Sequence, residues 1–169
     1  GRRFVDILFA NGGLGARPNM DGISSLGFPA NVSGVPVEVT ENEKPLLFEY
    51  KELSRDSGGP GKFRGGLGHA LAVQSTSSEV MTFAARMDRT THPTIGIEGG
   101  SNGAPAFVAI NGEISHPKKT RELRKGDVFS VQCAGGAGYG SPLERNKAKV
   151  QDDIADGYIS IDAAKQVYG

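Results

Sequence analysis

Ala106-Phe107-Val108-Ala109-Ile110-Asn111-Gly112-Glu113-Ile114-Ser115 carries the strongest local signal in the chain. An Asn-Gly pair accepts positive φ at both central positions, as the type I′ turn of a two-residue hairpin demands. The flanking apolar runs therefore predict a β-hairpin folded at Asn111-Gly112. A second turn at Lys125-Gly126-Asp127 launches another strand from Val128.

Outward from the hairpin, apolar residues keep recurring with period two, the spacing of half-buried strands. Phe48 and Tyr50 alternate with Glu49 and Lys51; Leu71 and Val73 follow the same rule, as do Phe129, Val131 and Cys133. Val80 to Ala85 also reads as a strand. Val35, Val37 and Val39 alternate too, and Pro36 inside that run places the strand at a sheet edge or a bulge. After Ser141 the pattern changes. Asn146 is placed to cap a helix over about Lys147–Asp156, with Val150 and Ile154 on one face and Gly157 as its stop. Ser160 is placed to cap a second helix through Ala163, Ala164 and Val167, while Ser141 and Glu144 offer a rival capping box one turn earlier. The expected fold is mainly β, with sandwich- or barrel-like antiparallel sheets, about seven or more strands and Gly-rich loops. The expected division is a β body over 1–141 and a short helical C-terminal appendage over 142–169.

Composition bounds the partners. Lys+Arg and Asp+Glu both total 19, so the chain lacks the basic excess that nucleic acid or an anionic membrane selects. The local run Lys118, Lys119, Arg121, Arg124, Lys125 reads as a solvated hairpin face. The single cysteine, Cys133, rules out an internal disulfide and makes the reducing cytoplasm the expected location. Its place in an alternating apolar strand reads as buried and structural.

Glycine is the outlier, at 25 of 169 residues. The glycines cluster at 12–15, 58–68, 96–103 and 135–140. Such clusters mark positive φ or close backbone approach. They do not make a nucleotide site. Gly61-Lys62 is followed by Phe63 and preceded, five residues earlier, by Asp56, so the Walker A pattern fails twice. Gly136-Ala137-Gly138-Tyr139-Gly140-Ser141 lacks the last glycine of a dinucleotide fingerprint. His69, His92 and His116 are scattered, and Asp88 with His92 falls where Thr90, Thr91 and Pro93 oppose a helix, so no metal site is expected. Ser57 lacks the frame of a nucleophile elbow.

Several long blocks, taken in order, resemble the hydantoinase B family, which includes the corresponding half of oxoprolinase and subunits of acetone-type carboxylases. They are Asn11-Gly-Gly-Leu-Gly-Ala-Arg17-Pro18 with Asp21-Gly22, Phe28 to Ser33, Val35 to Glu38, Asp56 to Gly68, Gly135 to Arg145, and Asp156 to Ser160 followed by Ala163-Ala164 and Tyr168-Gly169. The family commonly has Asp at the place of Ser141, and Asp-Pro at Asn146-Lys147. Family subunits are several times longer, and their His- and Asp-rich metal segments lie upstream of the residues present here. The resemblance implies the C-terminal part of a hydantoinase B-type subunit of an ATP-dependent cyclic-amide hydrolase of the N-methylhydantoinase/oxoprolinase type. A hydantoinase A-type partner would handle ATP, and the upstream part of the same subunit would be needed. The fragment alone is expected to be inactive and to hold no cofactor, with ATP, Mg and a divalent metal belonging to the complete complex.

Two other readings stay open: the equivalent part of an acetone-type ketone carboxylase, and a non-catalytic scaffold or subunit-docking domain. A phosphorylated intermediate or a carboxylate wants fixed cations and backbone N–H donors. Arg17, Lys62, Arg64 and His92 are the candidate substrate- or phosphate-binding side chains, with bare glycine N–H groups beside them. The competing account of the arginines is that they pair locally and hold loops together, and Asp21 and Asp56 read as turn and salt-bridge residues.

Overall fold

The computed structural model describes residues 4–30, 32 and 34–169. Among the described residues seven strands form: β1 (Leu46–Leu53), β2 (His69–Ser75), β3 (Met81–Ala84), β4 (Phe107–Ile110), β5 (Glu113–Ser115), β6 (Thr120–Leu123) and β7 (Val128–Gln132). Five make an antiparallel sheet in the order β1-β2-β7-β4-β5, and β3 pairs with β6 in a separate two-stranded sheet. β4 and β5 are the hairpin; Asn111 and Gly112 stand at φ 50° and 81°, as the primed turn requires. A bulge between Phe48 and Tyr50 interrupts the β1–β2 ladder.

The small sheet lies across the large one through side chains of matching period. Leu46, Leu71, Val73, Leu123 and Phe129 are buried together, and Phe83 packs against them. The rings of Phe83 and Phe129 stack with centroids 4.3 Å apart, closing the two layers. Cys133 is buried just beyond β7, and burial pushes its thiol up to about 11, which keeps it protonated and unreactive at neutral pH.

The run around Val35–Val39 is not a strand. Val37–Glu43 is a helix, α1, with Pro36 at its N-cap. Its inward positions, Val37, Thr40, Glu41 and Lys44, follow helical spacing, while Val39 points outward at 47% exposed. Proline is suited to this boundary because its φ is preset and its missing N–H is not needed there. Glu41 then accepts a hydrogen bond from the Phe48 amide at 2.7 Å and ties α1 to β1. Helix is therefore not confined to the tail.

The tail itself follows its caps. A 3₁₀ turn over Pro142–Glu144 precedes α2 (Lys147–Ala155), and α3 spans Ile161–Val167. Asn146 accepts from the Ala148 amide and Ser160 from the Ala163 amide, at 2.9 and 3.1 Å. Ser141 makes no side-chain cap bond, so Asn146 starts the helix. Gly157, at φ 75°, ends it. Among the described residues no helix is long and apolar enough to cross a membrane.

The glycine blocks converge into one layer of packed main chain. The Gly13 amide donates to Ala134, Gly66 to Leu14, Gly136 to Gly66, Gly59 to Gly136 and Gly138 to Ser101, all within 2.8–2.9 Å. A methyl group on Gly13 would overlap the Gly66 carbonyl, and one on Gly135 would overlap the Ser57 carbonyl. Close approach, not unusual φ, dictates glycine at these positions. We expect Gly13→Ala and Gly135→Ala each to lower unfolding free energy by about 3 kcal/mol or more, since backbone cannot shift to make room. Gly112→Ala, facing open space at φ 81°, should lose only about 1–2 kcal/mol. Urea unfolding of the three variants checks this; equal losses would refute it.

Candidate functional site

Four charged side chains meet where α2 reaches the glycine layer. Arg145 forks onto Asp21, with Nη1 to Oδ1 at 2.7 Å and Nη2 to Oδ2 at 3.1 Å. The same guanidinium donates to Asp153 Oδ2 through Nη2 at 2.7 Å and Nε at 3.1 Å. Arg64 Nε donates to the other Asp153 oxygen at 3.2 Å, and Arg64 Nη1 to the Gly65 carbonyl at 2.6 Å. The Arg64 amide donates to Asp21 Oδ1 at 2.7 Å, which closes the circuit. Arg64 lies over the Tyr158 ring, 5.1 Å from its centroid.

Arg64, Arg145 and Asp153 are each buried, at 5–6% exposed. Such charges persist only when paired and hydrogen-bonded, as these are. Burial alone would raise the Asp21 carboxyl, but Arg145, the Arg64 amide and Lys149 outweigh it and hold Asp21 below its ordinary 3.8. Burial would lower the Arg145 guanidinium, and Asp21 and Asp153 reverse that, so it stays fully charged. The network is a clamp: it fastens α2 to the segments around residues 21 and 64, and its valences are spent on one another.

The sequence candidates separate accordingly. Arg64 belongs to the buried clamp. Lys62 is exposed and reaches Glu144 at 3.1 Å, a surface pair of small energetic weight. Arg17 is exposed, in a tight turn where its amide bonds Met20 O at 2.9 Å. Among the described residues no side chain bonds its guanidinium. The turn is held from beneath, by Ala16 N to Ala137 O at 2.8 Å and by Asp21 in the clamp. His92 is exposed in a bend, and Thr94 two residues on ties that segment to Gly135 O at 2.8 Å. No hydrogen bond or ion pair joins any two of the four candidates among the described residues.

Asp56 holds the tail through the Ser160 amide at 2.7 Å, and Ser57 is buried with its hydroxyl between Ser54 O and Gly68 N. His69 Nδ1 accepts the Asn11 amide at 3.2 Å; burial, then Lys51, lowers its pKa, keeping it neutral. Among the described residues no three His, Cys, Asp or Glu side chains converge as a metal-ligand set. The glycine amides do not form a phosphate cradle either. Those of Gly59, Gly65, Gly66, Gly136, Gly138 and Gly140, and of Lys62, already donate to carbonyls within the layer.

Arg145 and Asp153 were not among the sequence candidates. Asp153 did carry a signal: it lies three residues after Val150 and one before Ile154, on the inward face of α2, where a carboxylate needs a buried partner.

Removing one partner leaves the others buried without compensation. Asp153→Ala should therefore destabilise the chain by about 3–5 kcal/mol, seen as a lowered midpoint in thermal or urea unfolding. The Asp21 contribution has a definite sign. Its folded pKa is depressed, so the stabilisation is present above the unfolded value of 3.8 and is lost as pH falls through the folded value. Stability should drop below about pH 4, and Asp21→Asn should flatten that acid limb.

The hydantoinase B/oxoprolinase family model matches residues 1–142. Over 181 aligned residues the chain is 34% identical to the caprolactamase subunit beta of Pseudomonas jessenii, covering 98% of this chain and 31% of that subunit. It is 32% identical to the acetophenone carboxylase delta subunit of Aromatoleum aromaticum, covering 99% of this chain and 30% of that one. The crystal structure of the ATP-dependent caprolactamase from Pseudomonas jessenii superposes with a TM-score of 0.76 at 30% identity, over 94% of this chain and 29% of that one. This chain thus spans under a third of the length of these relatives. With the family model matched over residues 1–142 and 34% identity to a caprolactamase beta subunit sustained over 98% of its length, the chain belongs to the hydantoinase B/oxoprolinase family.

Proposed function

We propose that this chain is the C-terminal scaffold portion of a hydantoinase B-type subunit in an ATP-dependent cyclic-amide hydrolase. It would work with the upstream part of its own subunit and a hydantoinase A-type partner, in a reducing, cytoplasmic setting. The supporting observation is the 34% identity to a caprolactamase beta subunit sustained over 98% of the chain.

The chemistry sets the division of labour. A lactam resists water because its nitrogen lone pair delocalises into the carbonyl and leaves the carbon weakly electrophilic. Transfer of a phosphoryl group from ATP to the carbonyl oxygen, releasing ADP, would expose that carbon to water. The ring C–N bond then breaks, the nitrogen leaves as the amine and phosphate is released. ATP, Mg and a divalent metal would sit in the rest of the complex, since most of the glycine amides here that could cradle phosphate already donate to carbonyls within the layer. This portion would supply stiffness and one presented cation. Arg17 stands at a turn anchored on both sides, with Pro18 after it disfavouring helix. A planar guanidinium so held suits a carboxylate or phosphate, which it grips by two parallel hydrogen bonds.

The competing reading is ATP-dependent ketone carboxylation, favoured by the 32% identity to an acetophenone carboxylase subunit. The assembled complex distinguishes them. Given ATP and Mg, it should open hydantoins or lactams; carboxylation of a ketone with bicarbonate, without lactam opening, would replace the first reading by the second. The isolated chain should release no phosphate from ATP above a blank.

Arg17→Lys keeps the charge and loses the fork. In the assembled enzyme it should lower kcat/KM by at least about tenfold, or roughly 1.4 kcal/mol, with the melting temperature unchanged. Full activity would show Arg17 dispensable, and loss of activity by unfolding would make it a loop tie.

A further inference from the structure

The segment before the first glycine block, residues 4–10, is built like a strand without a neighbour. From Ile7 to Ala10 its side chains alternate, Leu8 and Ala10 packing on the hydrophobic core and Ile7 and Phe9 facing outward at 68 and 51% exposed, while Phe4, Val5 and Asp6 before them are all exposed. From Asn11 onward the main chain is bonded, with Asn11 N to His69 Nδ1 and His69 N to Asn11 O. Before Asn11 that stops. Among the described residues no backbone N–H or C=O of 4–10 makes a hydrogen bond.

Between this segment and α1 lies a cavity of about 190 Å³ whose lining mixes apolar side chains such as Phe9, Val39 and Leu71 with Asp6, Glu43 and Lys51. Outward apolar side chains, unpaired main chain and an adjoining mixed hollow are together what a β-strand from outside would fill: its ladder would satisfy the backbone, and its side chains would occupy the hollow.

We infer that residues 4–10 are the acceptor for a β-strand contributed by the remainder of a hydantoinase B-type subunit. This rests on the function proposed above. More than two thirds of the caprolactamase beta subunit lies outside the matched 31%, and so supplies chain in the same molecule to cover the strip. An intramolecular strand needs no high intrinsic affinity, because it is held nearby at high effective concentration. A second copy of this chain would have to pair with the same short strip at ordinary concentrations.

Hydrogen exchange tests the inference. The amides of residues 5–9 are followed in the isolated chain, and again in the complete subunit assembled with its A-type partner. Pairing should slow their exchange at least about 100-fold in the assembly, as for amides released only by opening of a ladder. Ile7→Asp, at a position exposed in the isolated chain, should leave the isolated chain's melting temperature unchanged and abolish most of that protection in the assembly. Equal exchange in both settings would overturn the inference. So would protection that rises with concentration in the isolated chain, which would make the occupant a second copy. Protection unaffected by Ile7→Asp would place the contact elsewhere. Turnover of lactams and of ketones is measured on the same assembly. Turnover without protection sinks the strand and leaves the enzyme reading standing; protection without either turnover does the reverse.

Discussion

The structure depends on main chain lying against main chain without side chains between. Segments around residues 13, 22, 58–66, 100 and 135–138 approach until the carbonyl of one occupies the space where a Cβ would stand on another. Many of the amides, among them those of Gly13, Gly59, Gly66, Gly136 and Gly138, then find a carbonyl on a neighbouring segment, as in a sheet, but from pieces far apart in sequence. Ordering so many glycines costs conformational entropy. What offsets it is a layer whose polar groups are satisfied internally and whose thickness is that of backbone alone.

That layer gives the charged clamp its setting. Asp153, on α2, could not be buried against an apolar sheet face at tolerable cost, since a lone carboxylate loses its hydration. Against Arg64 and Arg145 it recovers the loss through three hydrogen bonds from two guanidinium groups. Asp21 shares Arg145, so the same circuit stiffens the turn that carries Arg17. Holding a helix and presenting a cation are therefore one arrangement rather than two.

The apolar sandwich does a different task. Its core is small, centred on Leu71, Val73, Leu123 and Phe129, and it is continued by Leu8 and Ala10 from a segment that has no ladder of its own. The outward side of that segment lies beside Val35 and the exposed Val39 of α1, and together they make an apolar strip. Relatives about three times longer carry further chain beyond the matched part, and the proposed strand pairing would close this strip.

Local chemistry determined a good deal of this from sequence alone. The Asn111-Gly112 hairpin, the caps at Asn146 and Ser160 and the stop at Gly157 rest on interactions within a few residues, and they stand where sequence places them; the period-two runs at Phe48, Leu71 and Phe129 lie in strands too, with Cys133 just beyond the last. The glycine blocks announced close approach, and the family blocks ran in order. Only the tertiary structure decided the rest. Val35–Val39 alternates on paper, yet among the described residues it pairs with no strand, and Pro36 caps a helix that packs beside β1 instead. Arg64 looked like a ligand-facing cation until Asp153, 89 residues away, claimed it. Glycine amides such as those of Gly59, Gly66 and Gly136 looked free until other blocks supplied their acceptors. A side chain's chemistry is written at its own position, whereas its burial and its partner come from residues that the fold alone brings near.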